Sequence, residues 1–338
     1  MKVEDFDYEL PEELIAKYPV QPRHEARLMV LNRAEKSIRQ DIFWNLPLYL
    51  NRGDLLVFNN SKVLPARLYG RKPTGGKVEV LLTDFVNKEV NKEEWYALIG
   101  GKGIKEGLII HVGDDLQIEV LEHVEGGKFK VKLLAQDPIK ALDKYGKIPI
   151  PPYLKREEEP VDRVYYQTVF AQVEGSVAAP TASLHFSEEL LQRLEEFGIK
   201  KTFITLHVSY GTFKPVKVSE VELHRVEPEY VKVSEDTIRL IKETKERGNK
   251  VVAVGTTVVR ALETAGFEPF EGWTDLYIYP GYSFKVVDAL ITNFHLPKSS
   301  LLFLVCAFGG REFILQAYKE AVRERYRFYS YGDGMLVL

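Results

Sequence analysis

The sequence predicts a mixed α/β protein in which a discontinuous α/β domain is interrupted by an inserted antiparallel β-barrel. Beyond residue 200, apolar strands alternate with amphipathic helices, the pattern of an α/β sheet. From about Arg67 to Lys147 the apolar residues follow a period of two, and glycine-containing turns separate short runs, which is typical of a barrel. The chain of 338 residues is long enough for two or three domains. We expect residues 1–63 and 150–338 to form the α/β domain and residues 64–149 the barrel.

Composition excludes several other classes of protein. With 45% hydrophobic and 28% charged residues, the chain has the composition of a globular protein rather than a disordered one. A single cysteine, Cys306, excludes an intrachain disulfide framework and a cysteine-based zinc site. The opening MKVEDFDYEL has no apolar signal region, and no apolar run approaches the roughly 20 residues of a membrane span. We therefore expect a cytoplasmic protein without a membrane partner.

The N-terminal elements come first. Asp7 to Tyr18 is predicted as a short helix with Pro11 in its first turn. The basic run in QPRHEAR, before the strand LMVLN, is either an anion site or a solvated charge run. Asp54 to Phe58 is predicted as a buried strand, and polar side chains at its end are typical of turns or of ligand contacts.

The distribution of charge bears on nucleic-acid binding. The net charge is −3, so any contact with RNA needs a local basic patch. Such a patch lies between Leu55 and Val78, where there are five basic residues and no acidic one.

The barrel is predicted from five short alternating runs. They are KVEVLL, EWYALIG, GLIIHV, LQIEVLEHV and KFKVKLL. The turn GGKGIKEG between the second and third runs lacks a following helix and the spacing of a phosphate-binding loop, so we interpret it as a hairpin.

The stretch EGSVAAPTASLHF, from Glu174 to Phe186, is the strongest candidate for a ligand site. Its hydroxyls and His185 lie directly before a helix that Ser187 caps and Gly198 ends, and a helix N-terminus favours anionic or polar ligands. The alternative is a turn at Pro180 whose hydroxyls cap the helix and whose histidine is hydrogen-bonded in the core.

The C-terminal half supplies further strands and helices. TFITLHVS, KVVAVG, DLYIYPGY and VDALITNF are predicted strands, and Ser234 caps a helix that ends at Gly248. Ligands of α/β sheets bind at the carboxyl ends of strands, so we expect five segments to meet there: 59–62, 180–185, 210–213, 255–257 and 293–295. SSLLFLVCAF is predicted as a core helix, and Arg311 to Arg327 as a helix with one basic face. The apolar tail FYSYGDGMLVL is expected to be packed.

The motifs together resemble the S-adenosylmethionine:tRNA ribosyltransferase-isomerase family of queuosine biosynthesis. They are FDYELPEELIAKYP, LVFNNSKVLPARL, VEGSVAAPTASLHF, LHVSYGTFKPV, AVGTTVVRALE, YIYPGYSFKVVDALITNFHLPKSSLL and AYKEAVRERYRFYSYGDGM, in order along nearly the whole chain. Two departures are visible. The family usually has glycine where Ser183 stands, and a Met-His pair where Val226 and Glu227 stand, while His224 matches.

The resemblance implies a reaction and its participants. The ribosyl part of S-adenosylmethionine is moved onto 7-aminomethyl-7-deazaguanine (preQ1) at the wobble position of a tRNA with a GUN anticodon, giving epoxyqueuosine and releasing adenine and methionine. S-adenosylmethionine is a co-substrate, no metal or prosthetic group is needed, and we expect a monomer. His185, His207 and His295 are the candidate proton carriers, since imidazole titrates near neutral pH, and we favour His185 as the base or acid.

The remaining candidate residues belong to the substrate and tRNA sites. Those expected to contact the substrate are Asn59, Asn60, Ser61, Arg67, Thr181, Ser183, Tyr210, Gly211, Thr212, Phe213, Gly255, Thr256, Thr257, Tyr282 and Asn293. Those expected to contact tRNA are Lys62, Arg71, Lys72, Lys319, Arg323 and Arg327. Two alternatives stay open: a non-catalytic RNA-binding protein, and an S-adenosylmethionine-dependent RNA methyltransferase, against which the lack of a G-x-G turn after a strand argues.

Overall fold

The structure is a computed structural model that describes residues 1–86 and 92–338, apart from the side chain of Phe213. The strands are β1 (Arg27–Asn32), β2 (Ser37–Ile42), β3 (Leu55–Asn59), β4 (Ser61–Val63), β5 (Arg67–Arg71), β6 (Lys77–Phe85), β7 (Glu94–Gly100), β8 (Ile109–Gly113), β9 (Leu116–His123), β10 (Phe129–Leu134), β11 (Val173–Ser176), β12 (Lys200–His207), β13 (Glu229–Val233), β14 (Val251–Val254), β15 (Phe270–Thr274), β16 (Ala289–Asn293) and β17 (Gly334–Val337). The α-helices are α1 (Pro138–Tyr145), α2 (Pro160–Tyr165), α3 (Glu188–Glu196), α4 (Glu235–Glu246), α5 (Thr256–Ala265), α6 (Ser300–Gly309) and α7 (Arg311–Arg323).

A nine-stranded mixed sheet forms the main layer, in the order β15-β13-β12-β3-β14-β16-β17-β1-β2. Its centre is parallel: β12 pairs with β3, β3 with β14, and β14 with β16. The C-terminal strand β17 lies between β16 and β1, antiparallel to the first and parallel to the second. The carboxyl ends of four neighbouring strands therefore meet at one edge of the sheet.

Two apolar cores cover the two faces of this sheet. Alternate residues of β3 face opposite ways: Leu55 and Val57 pack with α4 to α7, while Leu56 and Phe58 pack with α3 and a 3-10 helix at Phe43–Tyr49. Side chains in a strand alternate between faces, so a continuous apolar run is what a strand buried on both faces requires. The prediction of an α/β sheet from such runs is confirmed.

The six strands β5 to β10 close into an antiparallel barrel in the order β10-β7-β6-β5-β8-β9. Its interior holds one side chain from every second position, such as Val80, Leu82 and Trp95, and α1 closes it with Ala141 and Leu142. The predicted inserted barrel is confirmed, since its strands lie in the chain between strands of the large sheet. The boundaries at residues 63/64 and 149/150 stay a prediction.

The predicted helix from Asp7 to Tyr18 is wrong. The segment contains only a 3-10 turn at Glu12–Leu14 and is otherwise extended. Its backbone hydrogen bonds go to a distant part of the chain, because Ala16 N donates to Phe328 O at 3.2 Å and Phe328 N donates to Leu14 O at 2.8 Å. Local periodicity cannot reveal such long-range pairing.

Three further predictions are corrected. GGKGIKEG is not a hairpin, because the two strands that it joins, β7 and β8, are not adjacent in the barrel and do not pair with each other. DLYIYPGY forms no strand; the strand is β15, which precedes it. The last helix ends at Arg323 rather than Arg327, and the backbone N–H of Arg327 donates instead to Asp333 Oδ2 at 2.7 Å.

Helix starts and the chain end agree with the sequence. Ser187 and Ser234 accept hydrogen bonds from the backbone of Leu190 and Thr237, and so cap α3 and α4 as predicted. The core helix α6 and the packed C-terminal tail are confirmed by their burial. Within the described ranges no single helix is long and apolar enough to cross a membrane; α6 and α7, bent by 114° at their junction, pass that test only as a pair and only by length and composition.

Candidate functional site

Polar side chains gather where the parallel strands end. Asn59 ends β3, and its amide donates to Leu206 O at 2.9 Å and accepts from Leu206 N at 3.0 Å. Asn293 ends β16 and accepts from Thr181 Oγ1 at 3.0 Å. A Cβ at Gly255, which follows β14, would lie 3.7 Å from that of Ala182. The structure thus brings segments 59–62, 180–185, 255–257 and 293–295 to one edge of the sheet.

Several of these side chains already have partners inside the protein. The amide oxygen of Asn59 also accepts from Ser61 N at 3.1 Å, and Asn60 accepts from Thr205 Oγ1 at 2.7 Å. Thr256 and Thr257 are buried in the first turn of α5. Ser61 and Ser183 are fully buried, and neither hydroxyl has a hydrogen-bond partner among the described residues.

His185 lies in the core, not in an open pocket. Its Nδ1 is 3.0 Å from Ala182 O, its Nε2 is 2.7 Å from Gly332 O, and its ring stacks on Phe43 with 4.2 Å between centroids. Burial lowers the pKa of the ring, against the opposing effect of the two carbonyls. Both ring nitrogens are occupied, so these contacts favour the structural alternative for His185, and its catalytic role stays a prediction.

The other two candidate histidines have different surroundings. His295 is half-buried, its Nε2 lies 2.7 Å from Thr292 Oγ1, and burial lowers its pKa to about 3. Its backbone N–H donates to Tyr318 OH at 2.9 Å, which fixes the loop after β16. His207 ends β12 and packs between the barrel and the sheet, 6.1 Å from the Phe85 ring and 5.9 Å from that of Tyr230.

A cavity of about 570 Å³ opens at the same edge, beyond the end of β12. Its wall comes from residues 209–218, 223–229 and 276–278, from Arg260 of α5, and from residues 300–304 of α6; Gly126 of the barrel also reaches it. A volume of this size is within the usual range for sites that enclose a small molecule.

A buried ion pair forms part of the cavity wall. Arg260 is 7% exposed and Glu229 is 2% exposed, and Arg260 Nη2 donates to Glu229 Oε2. The second oxygen of Glu229 accepts from Ser209 N at 3.0 Å and from Thr212 Oγ1 at 3.1 Å. Glu229 therefore ties α5 to the loop after β12, because one carboxylate serves both.

A second group of charges joins the barrel to the cavity loops. Lys128, at the start of β10, lies 3.2 Å from Asp84 and 3.4 Å from Glu227, and Glu227 also pairs with Lys214. Burial acts to raise the pKa of Glu227, but the hydrogen bond from Lys214 and the charge of Lys128 outweigh it and lower that pKa. The carboxylate at a position where the family usually has histidine is thus a link between the barrel and the sheet.

The sequence predicted the cavity only in part. Gly211 and Thr212 line it, and Tyr210 and Phe213 belong to the same 3-10 turn, although the side chain of Phe213 lies outside the described part. Ser209, Glu229 and Arg260 were missed. An arginine inside the apolar run VVRALE was a usable signal, because a charge in a buried helix needs a partner. Tyr282 lies elsewhere: its hydroxyl donates to Glu263 near the end of α5, at 3.3 Å.

The predicted tRNA contacts fall on two surfaces. Arg71 is exposed on the barrel beside Tyr69, Lys77 and His111, which line an open groove of about 770 Å³. Lys72 donates to Lys102 O at 2.6 Å, and Lys62 lies 4.0 Å from Glu174. Arg67, which was predicted to contact the substrate, lies in barrel strand β5 and pairs with Glu79. Lys319 and Arg323 are exposed on α7, but Arg327 is half-buried, outside the helix, and donates to Tyr18 O.

The fold and site define an α/β protein that carries an inserted barrel and a cavity at the carboxyl edge of its sheet. The chain belongs to the family described as queuosine biosynthesis protein, whose sequence profile matches residues 3–337. It is 73% identical over 338 residues to the S-adenosylmethionine:tRNA ribosyltransferase-isomerase of Aquifex aeolicus (strain VF5), with all of both chains covered. The enzyme of that name from Hydrogenobaculum sp. (strain Y04AAS1) is 58% identical over 348 residues, again with both chains covered completely.

A solved structure supports the same assignment. The crystal structure of the S-adenosylmethionine tRNA ribosyltransferase from Thermotoga maritima is similar to this chain with a TM-score of 0.57 at 39% identity. The similarity covers 99% of this chain and 100% of the other. The resemblance inferred from the motifs is therefore confirmed.

Proposed function

We propose that this protein is an S-adenosylmethionine:tRNA ribosyltransferase-isomerase that acts on preQ1 at the wobble position of tRNA with a GUN anticodon. The ribosyl group is transferred to the aminomethyl nitrogen and isomerised to the epoxide-bearing ring of epoxyqueuosine, and adenine and methionine leave as the two released products. The observation that carries the proposal is the identity of 73% with such an enzyme over the full length. The cavity beyond β12 adds a site of suitable size.

The reaction needs a base, donors for the leaving adenine and a space that excludes water. His185, His207 and His295 are the proposed proton carriers. His295 is the best placed by its contacts, because its described hydrogen bond involves Nε2 only, whereas carbonyl oxygens contact both nitrogens of His185. Burial lowers its pKa to about 3, so the ring is neutral at pH 7 but is a weak base, and the proposal rests on the Nδ1 that the described contacts leave free rather than on its pKa.

S-adenosylmethionine is the proposed co-substrate, and no prosthetic group is part of the proposal. The segments that meet at the sheet edge, with Thr181 and Asn293 in contact, are the proposed surroundings of the reacting atoms. Binding sites in α/β proteins lie outside the carboxyl ends of strands, which is where these segments and the cavity lie. We further propose that the protein is cytoplasmic and monomeric.

The barrel groove is the proposed entry for tRNA. Tyr69 is 49% exposed there, next to exposed Arg71, Lys77 and His111. An exposed ring on which a base can stack, beside cations that can contact phosphates, is the combination that single-stranded RNA recognition uses. Lys62, Lys72, Lys319 and Arg323 are proposed as further contacts with tRNA. Arg67 stays a proposed substrate contact, although its charge is already balanced by Glu79.

The test is to incubate the protein with S-adenosylmethionine and tRNA that carries the aminomethyl base. Free adenine should appear in proportion to enzyme, and tRNA lacking the aminomethyl group should give none. Binding of tRNA without adenine release would instead indicate the RNA-binding alternative, and formation of S-adenosylhomocysteine would indicate a methyltransferase.

A further inference from the structure

Arg260 has unused hydrogen-bond donors that face the cavity. The residue is only 7% exposed, yet the one hydrogen bond described for its side chain is that from Nη2 to Glu229. Nε has no partner among the residues that the structure describes. A guanidinium carries five N–H donors in a rigid plane, and leaving them buried without acceptors is costly. The side chain is therefore arranged for an acceptor that the protein itself does not supply.

Ser209 is a second donor of the same kind. It is 3% exposed, lines the cavity, and its hydroxyl has no hydrogen-bond partner within residues 1–86 and 92–338. Its backbone N–H donates to one oxygen of Glu229 while Arg260 donates to the other. One carboxylate therefore binds both Ser209 and Arg260, and it keeps these two residues next to each other in the cavity wall.

The chemistry of these donors selects an anionic, planar acceptor. Four basic side chains line the cavity, Lys214, Lys217, Arg225 and Arg260, against two acidic ones, Glu227 and Glu229. A guanidinium matches a carboxylate in geometry and charge. Rings of His224 and Tyr277, 5.4 Å apart, also border the cavity and offer apolar surface to the rest of a ligand.

We propose that Arg260 and Ser209 bind the carboxylate of the methionine part of S-adenosylmethionine. This inference rests on the proposed function, in which that molecule is a substrate. It assigns Arg260 to binding and specificity and makes Glu229 a positioning residue, because Glu229 holds the donors in place. The cavity beyond β12 is then the site where the co-substrate is anchored while its ribosyl carbon reacts.

The experiment compares S-adenosylmethionine with its decarboxylated analogue as donors in adenine release, using tRNA with the aminomethyl base. The wild-type protein should favour S-adenosylmethionine in kcat/KM by about 10- to 100-fold, as expected for one charge-assisted pair. Arg260→Gln should reduce this preference to within about threefold. If Arg260→Gln does not fold because Glu229 is left as an unpaired buried charge, the combined variant Arg260→Gln with Glu229→Gln removes both charges and takes its place in the comparison.

Arg33→Gln is the matched control. Arg33 is a half-buried arginine that does not line the cavity and donates to the carbonyls of Asp288, Phe308 and Leu338, so its loss should leave the preference unchanged. A folded Arg260 variant that keeps the wild-type preference, or a wild-type protein with no preference, would overturn the carboxylate assignment while leaving the enzyme activity standing. Absence of adenine release from either donor would overturn the proposed function itself.

Discussion

His185 is held by two backbone carbonyls and an aromatic ring. The sequence predicted that this side chain would lie just before a helix, and it does, because Ser187 caps α3 two residues later. The carbonyl partners come from Ala182 and Gly332, and the second is 147 residues away in the chain. No local pattern gives such a contact, so the sequence could predict the position of the ring but not what surrounds it.

Replacing His185 by glutamine should separate its structural and catalytic roles. Losing the hydrogen bond that the neutral ring donates to a buried carbonyl, and the stacking on Phe43, should lower the free energy of unfolding by about 1–3 kcal/mol, as measured by urea denaturation. His111→Gln, at an exposed barrel position, should change it little. Unchanged stability with adenine release reduced by roughly 10² to 10⁴ would support the catalytic role instead.

The stability of the protein should depend on pH through His295. Burial lowers the pKa of this ring from 6.5 to about 3, so below pH 6.5 the unfolded chain binds a proton that the folded protein does not. The contribution is fully present above pH 6.5 and is lost as pH falls, by about 1–2 kcal/mol at pH 5. His295→Gln should therefore show a flatter loss of stability between pH 7 and pH 5. Burial also lowers the pKa values of His185 and His224, but these two residues contribute the same pH dependence to the wild type and to His295→Gln. Parallel pH profiles would contradict the prediction.

At the scale of elements, strands and capped helices could be predicted, but long-range pairing could not. The strands β3, β12, β14 and β16 are continuous apolar runs buried on both faces, and that signal is local. The extended segment before residue 18 takes its hydrogen bonds from Phe328, so its helix-like pattern was misleading. The ion pair of Arg260 with Glu229 joins a helix to a strand 31 residues earlier, which sequence spacing alone does not show.

Gly175 is where β11 passes between the barrel and the sheet. Its φ is +139°, and a Cβ there would lie 2.4 Å from the ring of Phe85 and 2.9 Å from that of His207. Gly175→Ala should destabilise the protein by about 2–4 kcal/mol, from backbone strain and overlap together. Gly107→Ala is the matched control, because φ is +82° there and nothing lies within 4 Å of the added atom. It should cost about 1 kcal/mol. Thermal melting measures both variants. An equal fall in melting temperature for the two would contradict the prediction, because it would mean that the neighbours of Gly175 move aside for the added Cβ.

At the scale of the whole molecule, the barrel and the sheet are joined by charges and by packing. Lys128 of the barrel contacts Glu227 near the cavity, and Gly126 in the turn before it reaches the cavity wall. The sequence predicted both parts but not this link, because Lys128 and Glu227 are 99 positions apart. A tRNA bound to the barrel would therefore lie on the domain that borders the cavity proposed for the co-substrate.

Binding of tRNA should depend strongly on salt despite the net charge of −3. Each phosphate contact with single-stranded RNA should contribute about 0.7 to the slope of log K against log salt. The combined variant Arg71→Ala with Lys77→Ala should make the slope less steep by about 1.4 if both side chains contact phosphates. Lys319→Ala with Arg323→Ala tests α7 in the same titration. A slope changed only by the α7 pair would move the tRNA site away from the barrel groove.

The most direct measurement is mass spectrometry of the wobble nucleoside after reaction of wild-type protein, S-adenosylmethionine and tRNA bearing preQ1. We expect the nucleoside to gain the rearranged ribosyl group, with one adenine and one methionine released for each tRNA modified. An unmodified nucleoside with the folded protein in excess, or a nucleoside that gains only a methyl group, would contradict it.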